Sequence, residues 1–140
     1  MIKAVFILVL LVSLPFAQFL ANSSKLSVND LKSKKMWQDN DLSAETKFTY
    51  KEGIAYCSTL GIERKSDWRL PSQNDYHSII DRNRIPAIQP VFSHTASGCY
   101  WTKDVDSKGD PIFIDFTDGY AKINSKSAVE CYVRCIRDSQ

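Results

Sequence analysis

Two features constrain this 140-residue chain more than any others: an apolar N-terminal segment and the four cysteines that follow it, Cys57, Cys99, Cys131 and Cys135. Residues 1–21 read MIKAVFILVLLVSLPFAQFLA, with one cation at Lys3, an uncharged apolar run from Ala4, and Pro15 near its end. A basic start, an apolar stretch and a small-residue exit are the layout of a secretory signal peptide. Cleavage after Ala17, with Pro15 an awkward third residue before the cut, or within Ala21-Asn22-Ser23 suits that layout. The competing reading is an uncleaved anchor, because residues 4–21 carry no charge and reach the lower limit for spanning a bilayer. Ser13, Pro15 and Gln18 weaken the second half of the run and favour cleavage. An exported chain is periplasmic or extracellular, and it meets a membrane only if the leader stays.

Export places the cysteines in oxidising surroundings, where an even count in a small domain forms disulfides. Four cysteines allow three connectivities. A strand over residues 131–135 holds its ends about 13 Å apart, beyond the ~7 Å that a bridge tolerates, so Cys131 does not pair with Cys135. Cys57 to Cys135 with Cys99 to Cys131, and Cys57 to Cys131 with Cys99 to Cys135, both survive. A zinc site on the C-x-x-x-C run with His94 matches no common spacing, and neither a metal nor a cofactor is expected.

The 18 Lys and Arg against 16 Asp and Glu give a net charge of +2, too even a balance for the broad positive field that nucleic acids require. Hydrophobic residues at 44% suffice for the core of one domain. Residues 22–33 are polar and read as a connector into a domain spanning 34–138, with a first strand near Lys35 to Gln38. Thr49 and Glu52 have capping-box spacing and open a helix whose inner face carries Tyr50, Ile54 and Cys57, with Gly61 placed to end it in a left-handed conformation. Ser72 and Asp75 repeat the device for a second helix over roughly 73–82, with Trp68 to Leu70 extended ahead of Pro71. Residues 84–90, with two prolines, read as an irregular crossover.

Strands follow: 99–103, 112–116, a two-residue turn at Asp118-Gly119 into 120–124, and a last strand over 131–137 with Cys131, Val133 and Cys135 on one side. Helices followed by an antiparallel meander argue an α+β fold.

The order KMWQDN, AYC on a helix, DWRLPS, YWT, a hairpin and a closing VRCIR resembles the Lcl C-terminal domain family, a family of unknown function named from a bacterial collagen-like adhesin. The resemblance covers about residues 34–138. It implies a C-type-lectin-like fold, two helices flanking a small twisted antiparallel sheet with the termini together. It also implies a bridge from the first helix to the last strand, hence Cys57 to Cys135, leaving Cys99 to Cys131. The RLPS run is similar to the corresponding segment of the formylglycine-generating enzymes, which share that fold type. The namesake domain's association with glycosaminoglycans and adhesion implies a non-catalytic binding domain, whose partner is a polysaccharide or glycosaminoglycan or an envelope protein. The alternatives are an oxidoreductase of the formylglycine-generating type, which requires free thiols, and a purely structural envelope component.

Within that reading the candidate ligand residues are Trp101, Tyr100, Lys103 and Arg69. Aromatic faces stack on sugar C–H groups, and a guanidinium fork binds carboxylate or sulfate. Each has a structural reading beside it: tryptophans of a small domain usually fill its core, and Arg69 between Trp68 and Leu70 suits a role pinning loop carbonyls. Lys32, Lys34, Lys35, Arg64, Lys65, Arg82 and Arg84 form a second candidate, a basic patch. Residues 104–110 partly resemble a calcium loop, but Lys108 stands at a ligand position and a polar hairpin loop is expected. His77 and His94 lie in no catalytic motif, and no catalytic residue is expected.

Overall fold

Short alternating runs pair into two sheets in the computed structural model, which describes residues 1–5, 7–13, 17–126 and 128–139; Pro15 lies outside them. The first sheet is antiparallel, in the order β1 (Phe19–Ala21), β2 (Ser27–Asp30), β3 (Lys35–Gln38), β9 (Ile136–Asp138). The second runs β4 (Lys47–Phe48), β8 (Cys131–Tyr132), β5 (Cys99–Val105), β6 (Pro111–Asp115), β7 (Tyr120–Ile123). It is antiparallel except where β5 and β8 pair in parallel at Tyr100 and Tyr132. Three helices complete the α+β fold: α1 (Leu42–Glu45), α2 (Tyr50–Thr59) and α3 (Gln73–His77).

The expectation of a single antiparallel sheet is corrected to two sheets, and the reason lies in residues 131–138. The segment 131–137 was expected to be one continuous strand. It pairs in the second sheet at Cys131 and Tyr132, leaves it through Val133, Arg134 and Cys135, and joins the first sheet at Ile136. The polar segment 22–33, expected to be a connector, supplies β2: Ser27, Val28 and Asp30 are buried, and Val28 pairs across to Trp37. Its polarity is misleading because Ser27 donates to the distant Glu63 carboxylate and Asp30 Oδ1 accepts the Lys32 and Ser33 N–H groups.

Both capping boxes form. Thr49 Oγ1 accepts the Glu52 N–H while Glu52 accepts the Thr49 N–H, and Ser72 and Asp75 do the same. Helix α3 ends at His77, short of residue 82, because the chain turns to bury Ile79 and bridge Ile80 to Ile88. Gly61 sits at φ −121°, and the left-handed positions after α2 fall to Glu63 and Arg64 instead. The buried line of α2 is Gly53, Cys57 and Leu60, with Ile54 exposed. Gly53 is needed there: a Cβ would stand 3.0 Å from Val133 Cγ2 and 3.3 Å from Trp101 Cδ1.

Hairpin β6–β7 closes through the four residues 116–119, longer than the two-residue turn expected, since Asp115 pairs with Tyr120. Gly119 has φ +82°, and a Cβ on it would lie 2.9 Å from Ile80 Cγ2. Gly119→Ala is therefore expected to destabilise the fold by about 2 kcal/mol, through left-handed strain and steric overlap together, measured by urea denaturation.

The core divides into two clusters. One gathers Val28, Trp37, Tyr76, Ile79, Ala87, Ile88, Phe92, Tyr100, Ile114, Phe116 and Ile136 between the sheets and α3. The other gathers Leu60, Trp68, Leu70, Trp101 and Val133 around Cys57, Cys131 and Cys135 under α2. All four cysteines are bridged: Cys57 to Cys135 with Cα atoms 5.6 Å apart, and Cys99 to Cys131 at 5.1 Å. Of the two connectivities that chain geometry left open, this is the one the family resemblance implies. The Cys57 to Cys135 link spans 78 residues. By chain entropy a loop of that length is worth about 4 kcal/mol. The double variant Cys57→Ala/Cys135→Ala is expected to lose roughly that amount in equilibrium unfolding, with Leu60 and Trp68 losing their anchor.

Candidate functional site

Helix α2 projects its first turn over the second sheet, and Tyr50 stands at the junction. Thr49 caps the helix, so Tyr50 and Lys51 fall at its exposed start. The Tyr50 hydroxyl donates to the Lys103 carbonyl at 2.9 Å, and its ring meets the Trp101 ring edge-on, 5.4 Å between centroids. Burial, and then the negative charge of Asp104, push the Tyr50 phenol above its ordinary range, so it remains a protonated donor at neutral pH.

Tyr50 lines two depressions. On one side lies a groove of about 440 Å³ between α2, Pro111 and residues 124–126 and 128–129, with Lys51, Lys126, Asp110 and Asn124 on its walls. On the other lies a cleft of about 240 Å³ floored by Ile54, Trp68 and Leu70, with Arg69 and Lys103 at its rim. Among the described residues, Lys51, Lys103 and Lys126 make no ion pair with a carboxylate within 4.0 Å. The two depressions thus share an aromatic wall and carry cations on both sides, with Asp110 as the acidic residue on the larger one.

Of the four candidate ligand residues, two come together here. Arg69 and Lys103 line the same cleft. Trp101 and Tyr100 are corrected: both are fully buried and offer no face to a ligand. The Trp101 indole N–H donates to the Phe48 carbonyl at 2.8 Å, and the ring forms the floor behind Tyr50. The Tyr100 hydroxyl donates to the Ser43 carbonyl and accepts the Ala96 N–H, fixing the loop before β5. Position on alternating strand β5 does not reveal burial here, because α2 covers one face of it and the core the other.

Arg69 is held by its backbone, which exchanges two 2.9 Å hydrogen bonds with Ile136, and by its side chain, which donates to Asp75 at 2.9 Å and to the Leu70 carbonyl. Its second terminal nitrogen is 3.8 Å from Asp138. Arg69 is thus a structural pin with one edge turned to the cleft. Asp75 is pushed up by burial, but the Ser72 N–H and the Arg69 guanidinium outweigh this and hold its carboxyl below the ordinary value. A carboxylate with a lowered folded pKa contributes stability that is present above its unfolded pKa near 3.8 and lost as pH falls through the folded value. Asp75→Asn is accordingly expected to cost about 1–2 kcal/mol at pH 7, a cost that starts to shrink below the unfolded value of 3.8 and vanishes only once pH falls below the lowered folded value, followed by thermal unfolding across pH.

Three of the seven residues of the wider basic patch are engaged by neighbours of their own. Lys35 pairs with Asp138 in the first sheet. Arg82 lies over the Tyr120 ring and donates to the Gly119 carbonyl, while Arg84 donates to the Ile88 carbonyl, beside the β6–β7 turn. Of residues 104–110, the first two end β5 and 106–110 form the β5–β6 hairpin loop, in which the Asp106 carboxylate accepts the Lys108 and Asp110 N–H groups. Sequence reasoning missed Tyr50, Lys51 and Lys126 as site residues. The Thr49 cap was the available signal for the first two, since residues just inside a cap sit at an exposed helix end. Lys126 had none, because its place depends on the return of the chain from β7 to β8.

What these elements define is a small disulfide-stapled α+β domain with a cation-rimmed groove across the start of its longest helix. The family model of the Lcl C-terminal domain matches residues 26–137, and the chain belongs to that family. No curated protein matches it significantly. The two bridges are consistent with an exported protein, and among the described residues no helix is long and apolar enough to cross a membrane.

Proposed function

We propose that the chain is an exported, non-catalytic binding domain of C-type-lectin-like type, and that the groove and cleft on either side of Tyr50 take an acidic polysaccharide. The lectin-like reading rests on the helix-to-C-terminus bridge Cys57 to Cys135 and on the pairing of β9 with β3, which brings the two ends of the domain into one sheet. The observation that carries the binding reading is the set of three lysines with no carboxylate partner among the described residues, Lys51, Lys103 and Lys126, in the two depressions that share Tyr50. Unpaired ammonium groups on a near-neutral protein concentrate positive potential locally, and sulfate or uronate groups spaced along a sugar chain match that pattern. Tyr50 supplies an apolar face for a sugar ring and a hydroxyl already turned toward backbone. The oxidoreductase alternative requires free thiols, and all four cysteines are consumed in bridges.

Binding of this type weakens with salt, because exposed charges are screened beyond about 8 Å at physiological ionic strength. The triple variant Lys51→Glu/Lys103→Glu/Lys126→Glu is expected to bind heparin-type or polyuronate chains at least about tenfold more weakly, a loss of roughly 1.4 kcal/mol, with unchanged unfolding. Titration calorimetry at two salt concentrations measures this. Equal affinity of the variant, or equal affinity of the wild type for a neutral glucan, contradicts the reading.

A further inference from the structure

Residues 18–21 belong to the folded domain and not to the leader that precedes them. Phe19, Leu20 and Ala21 pair with Asp30, Asn29 and Val28, and the Phe19 ring packs edge-on against Phe92, 6.0 Å between centroids. The Gln18 carbonyl accepts the Leu31 N–H at 2.8 Å, and its side-chain amide donates to Asp30 Oδ1 at 3.2 Å. The described residues before this, 1–5 and 7–13, form no regular element, and their large apolar side chains are exposed, Leu8 at 84% and Leu11 at 92%. A cut within 21–23 would remove β1, leave β2 without its outer neighbour and uncover the Phe92 side of the core. A cut after Ala17 leaves all of these contacts in place.

A second observation lies at the same spot. Asp30 is 1% exposed, and its Oδ1 accepts the Gln18 amide and the Lys32 and Ser33 N–H groups. Its Oδ2 is buried with no hydrogen-bond partner, and among the described residues no Lys, Arg or His pairs with it. Burial pushes this carboxyl up, but hydrogen bonds from Ser33 and Gln18 outweigh it and hold it below its ordinary value as an anion, which a positive charge beside it stabilises further.

We propose that the leader is removed at the Ala17–Gln18 bond and that the new α-ammonium of Gln18 becomes the cationic partner of Asp30. The cut is a hydrolysis by a membrane-bound leader peptidase: the Ala17 carbonyl carbon to Gln18 nitrogen bond breaks, and water gives its hydroxyl to Ala17 and a hydrogen to Gln18. The freed amine, with an ordinary pKa of about 7.7–8.0, is largely protonated at neutral pH. The new terminus lies one residue from Phe19, the cross-strand partner of Asp30, and the Gln18 side-chain amide already reaches the carboxylate. This inference rests on the export reading of the leader and is independent of what the groove binds.

The test is to express the full chain in an exporting bacterial host and read the mature N-terminus by intact mass and terminal sequencing. A chain of residues 18–140 is expected. A start at Asn22 or Ser24 overturns the assignment, and a retained leader overturns it as well, leaving an anchored chain. The mature protein is then compared with a form carrying Gly-Ser ahead of Gln18, in wild-type and Asp30→Asn backgrounds. The extension is expected to lower Tm by about 3–5 °C in the wild type and to have little effect in Asp30→Asn. Equal Tm for extended and unextended wild type overturns the Asp30 pairing, and does so even if the Asp30→Asn protein fails to fold.

Discussion

The buried guanidinium of Arg134 is the interaction on which the remaining architecture depends. It is fully inaccessible, and its terminal nitrogens donate to the Gln38 carbonyl at 2.6 Å, Asp39 Oδ1 at 3.0 Å, the His94 carbonyl and Thr95 Oγ1 at 2.8 Å. The Phe92 ring lies beneath it at 5.0 Å and Tyr100 at 5.8 Å. A buried charge is tolerated only when paired and hydrogen-bonded. Three parts of the chain must therefore converge on it: the end of β3, the loop before β5, and the crossover from β8 to β9. Asp39 adds to this by accepting the Ser93 and His94 N–H groups, so that one carboxylate closes the loop and neutralises the arginine.

Immediately after Arg134, the Cys135 N–H donates to the Gln38 side chain, and the Cys135 sulfur is bonded to Cys57 of α2. The arginine thus fixes the crossover, the crossover fixes α2, and α2 carries Tyr50 and Lys51 to the groove. Ile136, the next residue but one after Arg134, exchanges backbone hydrogen bonds with Arg69 and sets the height of the cleft rim. Site and core are consequently one construction. The side chains facing a ligand are few and exposed, while those that place them are buried and charged or bridged.

Much of this was legible in the chain. The starts of α2 and α3 follow from reciprocal caps, which are local, and β5 and β6 follow from period-two alternation. The division into two sheets was not legible, because Arg134 between two cysteines reads as the outward residue of a strand, and only tertiary pairing with Asp39 turns it inward. β2 was hidden by the polar residues of 22–33, whose bonding partners lie as far away as Glu63. For the site, Arg69 and Lys103 were singled out by residue type and motif, but the burial of Trp101 and Tyr100 depends on α2 packing over β5 with Gly53 at the contact. Residue type identifies what can bind a sugar, and packing decides which of those side chains is left uncovered.

The most direct measurement on the central claim is a backbone and lysine side-chain NMR titration of the mature, oxidised protein with a sulfated tetrasaccharide. Shifts concentrated on Tyr50, Lys51, Lys103, Lys126 and the Arg69 side chain, with the Arg134 network unmoved, are the predicted result. Shifts confined to Lys32–Lys35 or to Arg82 and Arg84, or none at millimolar sugar, would contradict it.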